Sequence, residues 1–261
     1  MATPLQNQQS SAEHWKSVYL FGAITALIVV VGSIADIVIG IALGGNLSTI
    51  PGTAAERLQQ LHSNRLVGLY NLDLLNLVTT FIMLPTIFAV CAVHRKVNAA
   101  FSAFAMILST IGTALFMANN GALPMLALSD KYAAASTEAQ RTALAAAGEA
   151  LLANGEHGGP GAFLGFMLPS LAAILVSCIM LKGKILSKLA AYFGIVGNAM
   201  LMVYLVLVTF MPGAKSSALM LASPGGLLAI AWLMMISVRL FKMGSPKTVH
   251  LRRLKMEKAQ R

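Results

Sequence analysis

The stretch YLFGAITALIVVVGSIADIVIGIAL, residues Tyr19–Leu43, decides the fold class of this chain. A helix of about 20 apolar residues crosses the hydrocarbon core of a bilayer, and this run is longer and carries one charge, that of Asp36. Because its apolar residues are continuous rather than alternating, it predicts a membrane helix and not a barrel strand. It is too long for a removable signal peptide, so we expect a retained first span.

Five further apolar runs follow, and the composition agrees with them. Hydrophobic residues make up 57% of the chain and charged residues 11%, against about 25% charged in soluble domains, and the mean hydropathy is +0.75. These values exclude a soluble enzyme, a disordered chain and a disulfide-stapled secreted domain. The fold class predicted is all-α, a polytopic membrane helix bundle of six transmembrane helices with an outer-side helical cap. The other runs are Leu66–Val93, Ala99–Ala118, Ala162–Leu181, Leu189–Phe210 and Leu219–Phe241, the last interrupted by Pro224-Gly225-Gly226.

The basic residues predict the orientation. Cytoplasmic loops of membrane proteins are enriched in Lys and Arg, and with both termini inside, 14 of the 19 Lys and Arg residues fall on that side. We therefore expect a multi-pass protein of the cell's inner (cytoplasmic) membrane with both termini cytoplasmic, and the net charge of +10 requires no nucleic acid partner. The predicted parts are a cytoplasmic tail (1–18), a transmembrane domain (19–241) with outer loops at 44–65 and 119–161, and a basic cytoplasmic tail (242–261).

The basic tail has two interpretations. Apolar residues interleave with cations there, a pattern typical of a segment on an anionic leaflet; a topology anchor explains the cations equally well. The residues predicted to contact lipid headgroups are Arg252, Arg253, Lys255 and Lys258.

The outer loops carry helix-start signals. Thr137 and Gln140 have the spacing of a capping box, in which side chains and backbone amides pair reciprocally, and an alanine-rich run follows. This predicts a helix over Glu138–Ala153, and Thr53 with Glu56 predicts a shorter one in the first outer loop. These helices could form a lid or partner surface, or an inert cap on the bundle.

The segment from Met125 to Ala135, MLALSDKYAAA, continues through Ala139-Gln140-Arg141 to Ala147-Gly148-Glu149-Ala150-Leu151. It resembles an uncharacterised family of bacterial integral membrane proteins catalogued only as a domain of unknown function. The resemblance implies about six spans and a long outer loop in this place. It implies no activity.

Two carboxylates fall within the predicted spans. At 1.5 Å per residue, Asp36 on the first span and Asp73 on the second both lie roughly 10 Å below the outer boundary. An ionisable group at such a depth is a functional-site hypothesis. A helical wheel of the second span groups Asp73 with other polar side chains and points Asn71 elsewhere. The predicted ligand or ion pocket is Asp36, Tyr70, Asp73, Asn76 and Thr80, with Asn119, Asn120 and Ser170 at its rim.

Three functional hypotheses remain open. The first is binding or transport of a small molecule, lipid or cation at the predicted pocket; the second is a non-catalytic accessory subunit of a larger membrane complex, or a homo-oligomer. The third is an intramembrane enzyme using the paired carboxylates, although no catalytic motif is present. Structural hydrogen bonding between helices would also explain intramembrane Asp and Asn. We predict no catalytic residues, because no catalytic motif is present, and no metal, because the outer His and Glu residues lack local ligand spacing. We predict no cofactor, because all five His lie outside the predicted spans and no Lys lies within one.

Overall fold

Ten α-helices are present in the structure, a computed structural model that describes residues 4–43, 50–156 and 158–245. A 3-10 turn at Pro212–Ala214 joins the last two helices. The basic tail residues Arg252, Arg253, Lys255 and Lys258 lie outside the described residues. In chain order the helices are α1 (Pro4–Ala42), α2 (Ala54–Ser63), α3 (Arg65–Asn71), α4 (Leu74–His94), α5 (Ala99–Asn119), α6 (Ala122–Ala134), α7 (Glu138–Gly155), α8 (Pro160–Gly183), α9 (Lys188–Phe210) and α10 (Lys215–Gly244).

Six apolar stretches of the described chain are long enough to cross a membrane, and they contain α1, α4, α5, α8, α9 and α10. The prediction of an all-helical, six-span bundle is confirmed. The sixth span is one helix that contains Pro224. Helix α10 begins at Lys215, directly after the 3-10 turn, which contacts both α9 and α10.

The six long helices form a closed ring in chain order, since each packs against the next and α10 returns to α1. Small residues allow this close packing: a Cβ at Gly22 of α1 would lie 2.3 Å from the Ala89 Cβ of α4. A buried hydrogen bond reinforces the same contact, because the Thr86 hydroxyl donates to the Gly22 carbonyl at 3.0 Å. Such approaches are typical of membrane helix interfaces, where packing and interhelical hydrogen bonds replace the hydrophobic effect.

Four short helices, α2, α3, α6 and α7, pack over one end of the ring and are called the cap below. They share an apolar cluster that includes Leu58, Leu61, Met125 and Leu152. Both predicted capping boxes are present, at Thr53–Glu56 before α2 and at Thr137–Gln140 before α7. The helix predicted at Glu138–Ala153 extends to Gly155.

The second predicted span, Leu66–Val93, is wrong as a continuous helix. Helix α3 ends at Asn71 and α4 begins at Leu74, with Asp73 in the left-handed region at φ 61. Aspartate adopts this conformation more readily than most side chains do. The membrane-spanning part is therefore α4 alone, and α3 belongs to the cap.

His94 also differs from its prediction as a loop residue. It is the last residue of α4 and is 1% exposed, with Nδ1 lying 2.9 Å from the Val90 carbonyl oxygen. Burial against Gly183 of α8 extends the helix beyond the point where its apolar residues end.

Candidate functional site

A cavity of about 630 Å³ lies between the cap and the ring. This size is within the range of small-molecule sites. Its lining comes from both sides of the break in the second span, from the cap, and from the ends of α1, α9 and α10. The lining residues are Asp36, Ile50, Pro51, Gly52, Arg57, Tyr70, Asn71, Leu72, Asp73, Asn76, Gly121, Leu151, Leu152, Gly155, Glu156, Tyr204, Val208 and Leu219.

The broken helix supplies the middle of this lining, and two side chains satisfy the carbonyls that the break releases. A helix end leaves backbone groups without intrahelical partners. Arg57 Nη1 donates to the Asn71 carbonyl at 3.2 Å, and Asn120 Nδ2 donates to the Leu72 carbonyl at 3.0 Å. The break is therefore a built feature, held by the cap on one side and the end of α5 on the other.

Arg57 is the central residue of the cavity's cap side. It is 5% exposed, and its Nε donates to the Pro51 carbonyl at 2.9 Å. Its Nη2 pairs with the carboxylate of Glu156, which follows α7. One guanidinium thus joins the segment before α2, the broken helix and the end of α7. Buried charges require such partners, because isolated ions are strongly disfavoured out of water.

The ring side of the cavity is acidic. Asp36 near the end of α1 and Asp73 at the break both line it. Tyr70 donates its hydroxyl to the Asp36 backbone carbonyl at 3.0 Å, and Asn76 Nδ2 donates to Asp73 Oδ1 at 3.1 Å. Tyr204 of α9 completes this wall, so carboxylates and aromatic rings face one space.

The phenol of Tyr70 reports on the charge of this wall. Tyr70 lies in α3, outside the six spans. Its pKa is raised to about 12, first by burial and then by the negative charge and hydrogen bonding of Asp36, with a smaller effect of Asp73. Both carboxylates therefore act on the same hydroxyl, which remains protonated at neutral pH.

Of the eight residues predicted for the pocket and its rim, four line the cavity and four lie elsewhere. Asp36, Tyr70, Asp73 and Asn76 line the cavity, whereas Thr80 and Ser170 do not. The predicted rim residues Asn119 and Asn120 instead connect elements: Asn154 Nδ2 donates to Asn119 Oδ1 at 2.5 Å, and Asn120 Oδ1 accepts from the Ala122 amide at 3.0 Å. Ser170 is 8% exposed within α8. Asn119 and Asn120 therefore connect helix ends outside the cavity lining, and Ser170 is buried in the middle of α8.

The cavity chemistry is that of a polar, anionic site. Its described lining contains the carboxylates of Asp36, Asp73 and Glu156 against the guanidinium of Arg57. Within the described residues, no cluster of three or more His, Cys, Asp or Glu is arranged to hold a metal ion. The arrangement can accept hydrogen bonds from a ligand and can stabilise positive charge.

The family described as "Domain of unknown function (DUF4386)" matches residues 20–236. The chain belongs to this family. Comparison with curated proteins finds no match, and comparison with solved structures finds none. The match covers all ten helices apart from the two ends, so the whole cavity of this DUF4386 protein lies within the family domain.

The predicted pocket lacks four polar residues that line the cavity of the DUF4386 domain: Arg57, Asn71, Glu156 and Tyr204. Asn71 lines the cavity as well, while its side-chain Nδ2 donates to Gln60 Oε1 at 3.0 Å, outside the lining. Arg57 and Glu156 were assigned to loops by hydropathy alone. Their opposite charges offered a signal, but nothing in the spacing of residues so distant in the chain identifies them as partners.

Proposed function

We propose that the cavity binds a small organic cation, with the ligand's ammonium group against the carboxylates of Asp36 and Asp73. The observation that carries this proposal is that two carboxylates from different helices line one cavity together with Tyr70 and Tyr204. Carboxylates attract an ammonium group by its charge, whether or not it carries N–H donors, and tyrosine faces attract cations.

The charge balance of the lining supports a cationic ligand. Three carboxylates face one guanidinium, which gives a net charge of −2 when all four groups are ionised. Arg57 directs its donors to Glu156, Pro51 and Asn71. The described lining therefore carries more negative than positive charge, which favours a cationic ligand over an anionic one.

The experiment measures choline binding to the purified full-length protein by isothermal titration calorimetry. We expect Asp36→Asn and Asp73→Asn each to weaken binding by about 10-fold or more, since the quaternary ammonium of choline is held by charge alone and two unit charges about 4 Å apart attract by about 1–4 kcal/mol between water and a partly buried site. Asp130→Asn is the matched control, because Asp130 is an exposed cap carboxylate paired with Arg65 at 3.0 Å. The neutral isostere 3,3-dimethyl-1-butanol, which lacks this charge, should bind at least 10-fold more weakly than choline.

Equal binding of choline by wild type and both cavity variants would overturn the proposal. So would equal binding of choline and its neutral isostere, because the site would then recognise shape and not charge. Thermal unfolding of each variant distinguishes ligand binding from a purely structural role of the carboxylates. In the structural role, Asp36→Asn lowers the stability of the protein and leaves its affinity for choline unchanged.

We propose that the cap faces the extracytoplasmic side of a bacterial inner membrane, with both chain termini in the cytoplasm. The support is the excess of cations at the end of the ring opposite the cap, including Arg95, Lys182 and Lys188, since cytoplasmic loops retain Lys and Arg. In a variant without Cys91 and Cys178, a membrane-impermeant maleimide applied to intact cells should label Asp130→Cys and not Lys182→Cys. Labelling in the reverse order would invert the orientation.

Transport is an extension of the same proposal. Discontinuous helices at a binding site are common in transporters, and the break at Leu72–Asp73, directly before the membrane helix α4, lies in the cavity wall. Proteoliposomes carrying the wild type should exchange labelled choline faster than proteoliposomes carrying Asp36→Asn. Equal rates would leave binding without transport, and a stoichiometric copurified protein would favour the accessory-subunit role.

A further inference from the structure

A second cavity lies at the end of the ring opposite the cap, away from the cavity proposed to bind an organic cation. It has a volume of about 440 Å³ and is formed by the turn between α8 and α9 and by the last turns of α10. It is called the basal groove below and is defined by Lys184, Ser187, Ala190, Met234, Val238 and Arg239.

The groove has an apolar wall and a cationic mouth. Met234 and Val238, one helical turn apart on α10, are 39% and 46% exposed and form an apolar stripe. Lys184 and Arg239 both lie at the end of the groove where α8 finishes. Arg239 Nη2 donates to the Ile185 carbonyl at 3.4 Å, which holds the guanidinium beside the turn.

The turn itself is built to present Lys184. This residue is the C-cap of α8 and adopts φ 52, a conformation that non-glycine residues rarely occupy. The exposed residue Ser187 precedes α9 and makes no side-chain capping bond. Two cationic side chains and a hydroxyl therefore border a groove whose described lining contains no carboxylate.

The order of these groups along the membrane normal matches one class of ligand. Met234 precedes Arg239 on α10 by more than one helical turn, and Lys184 follows the end of α8. Apolar and cationic groups therefore succeed one another along the groove, as the acyl chain and the phosphate of a phospholipid do. Lys and Arg at the end of a span commonly contact anionic headgroups. A free phosphate would use the cations alone and would leave Met234 and Val238 without a role.

We propose that the basal groove binds an anionic phospholipid, with its phosphate between Lys184 and Arg239 and an acyl chain along Met234 and Val238. This site is separate from the cavity proposed to bind an organic cation, which lies at the cap end of the ring. It is also separate from the basic tail of the chain, since the residues that form it all precede Ser245.

The test titrates the full-length protein in detergent with dioleoyl phosphatidylglycerol and counts bound lipid by native mass spectrometry. The double variant Lys184→Gln/Arg239→Gln should bind about 30-fold more weakly, because each cation near an anionic headgroup contributes about fivefold in affinity. The matched control is Lys182→Gln/Lys188→Gln, which removes the same charge from exposed positions at the same end that do not line the groove. We expect the control to change affinity by less than about threefold.

Two further measurements identify the ligand. Val238→Ser should weaken binding of phosphatidylglycerol, and glycerol phosphate in large excess should not displace the lipid. Equal losses in the two double variants would overturn the proposal, because general surface charge would then explain the binding. Displacement by glycerol phosphate, or equal affinity for phosphatidylcholine, would also overturn it.

Discussion

Replacing Arg57 with methionine should release the cap from the broken helix. Arg57 is 5% exposed and donates to two carbonyls, those of Pro51 and Asn71, at 2.9 and 3.2 Å. A hydrogen bond from a charged group contributes about 1.5 kcal/mol or more, so the two together stabilise the cap by about 3 kcal/mol. The pair with Glu156 adds little, because that carboxylate is 48% exposed and is screened by water.

Hydrogen exchange of α2 measures this effect directly. Methionine retains most of the side-chain volume, so the expected loss comes from the missing donors and not from a void. A local loss of about 3 kcal/mol raises the exchange rate of the amides in Ala54–Ser63 by about 100-fold. The ring helices should exchange as they do in the wild type, because Arg57 contacts none of their interfaces with one another.

Arg65→Met is the matched control for this prediction. Arg65 belongs to the same cap, but it is 61% exposed and pairs with Asp130, itself 55% exposed. Exposed ion pairs contribute about 0–1 kcal/mol, so exchange in α2 should rise by only a few-fold. Unchanged hydrogen exchange in Arg57→Met, or an equal rise in both variants, would show that the hydrogen bonds of Arg57 do not stabilise the cap.

Two further predictions concern packing and charge. Gly155→Ala should lower the free energy of unfolding by about 2 kcal/mol, because the added Cβ would lie 2.2 Å from the Asn119 carbonyl oxygen. Gly226→Ala in α10 should raise it by up to about 1 kcal/mol, because the added Cβ would have no neighbouring atom within 4 Å. The reverse order would contradict the packing. Ultraviolet titration of the wild type, compared with Tyr70→Phe, should show that Tyr70 ionises near pH 12. Asp36→Asn should lower the pKa of Tyr70 because a negative charge is removed, and an unchanged titration curve for Asp36→Asn would show that the two residues do not interact. Since the pKa of Tyr70 in the folded protein, about 12, exceeds the ordinary pKa of tyrosine, about 10, the stability contributed by the protonated phenol is complete below about pH 10 and is lost as the pH rises through about 12.

Much of the fold follows from local sequence. Continuous apolar runs identify the six spans, because the bilayer imposes a minimum length on each. The capping boxes at Thr53 and Thr137 identify the starts of α2 and α7, since each box depends on residues within one turn. Both features rest on short-range chemistry that one stretch of sequence contains in full.

The break at Leu72–Asp73 could not be predicted in this way. Residues 66–93 are apolar enough for one helix, and the break depends on donors brought by Arg57 and Asn120 from elsewhere in the chain. The same limit applies to Tyr204, which reaches the cavity only because α9 returns to the cap end of the ring. Asp36 and Asp73 were identified because their charge is conspicuous within an apolar run, whatever the tertiary structure.

An experimental structure of the full-length protein with choline at a saturating concentration would test directly whether the cavity binds a small organic cation. We expect ligand density in the cavity beneath the cap, with the ammonium group against Asp36 and Asp73 and beside Tyr70 or Tyr204. Density for choline at another place in the protein, with the cavity occupied by water alone, would contradict it.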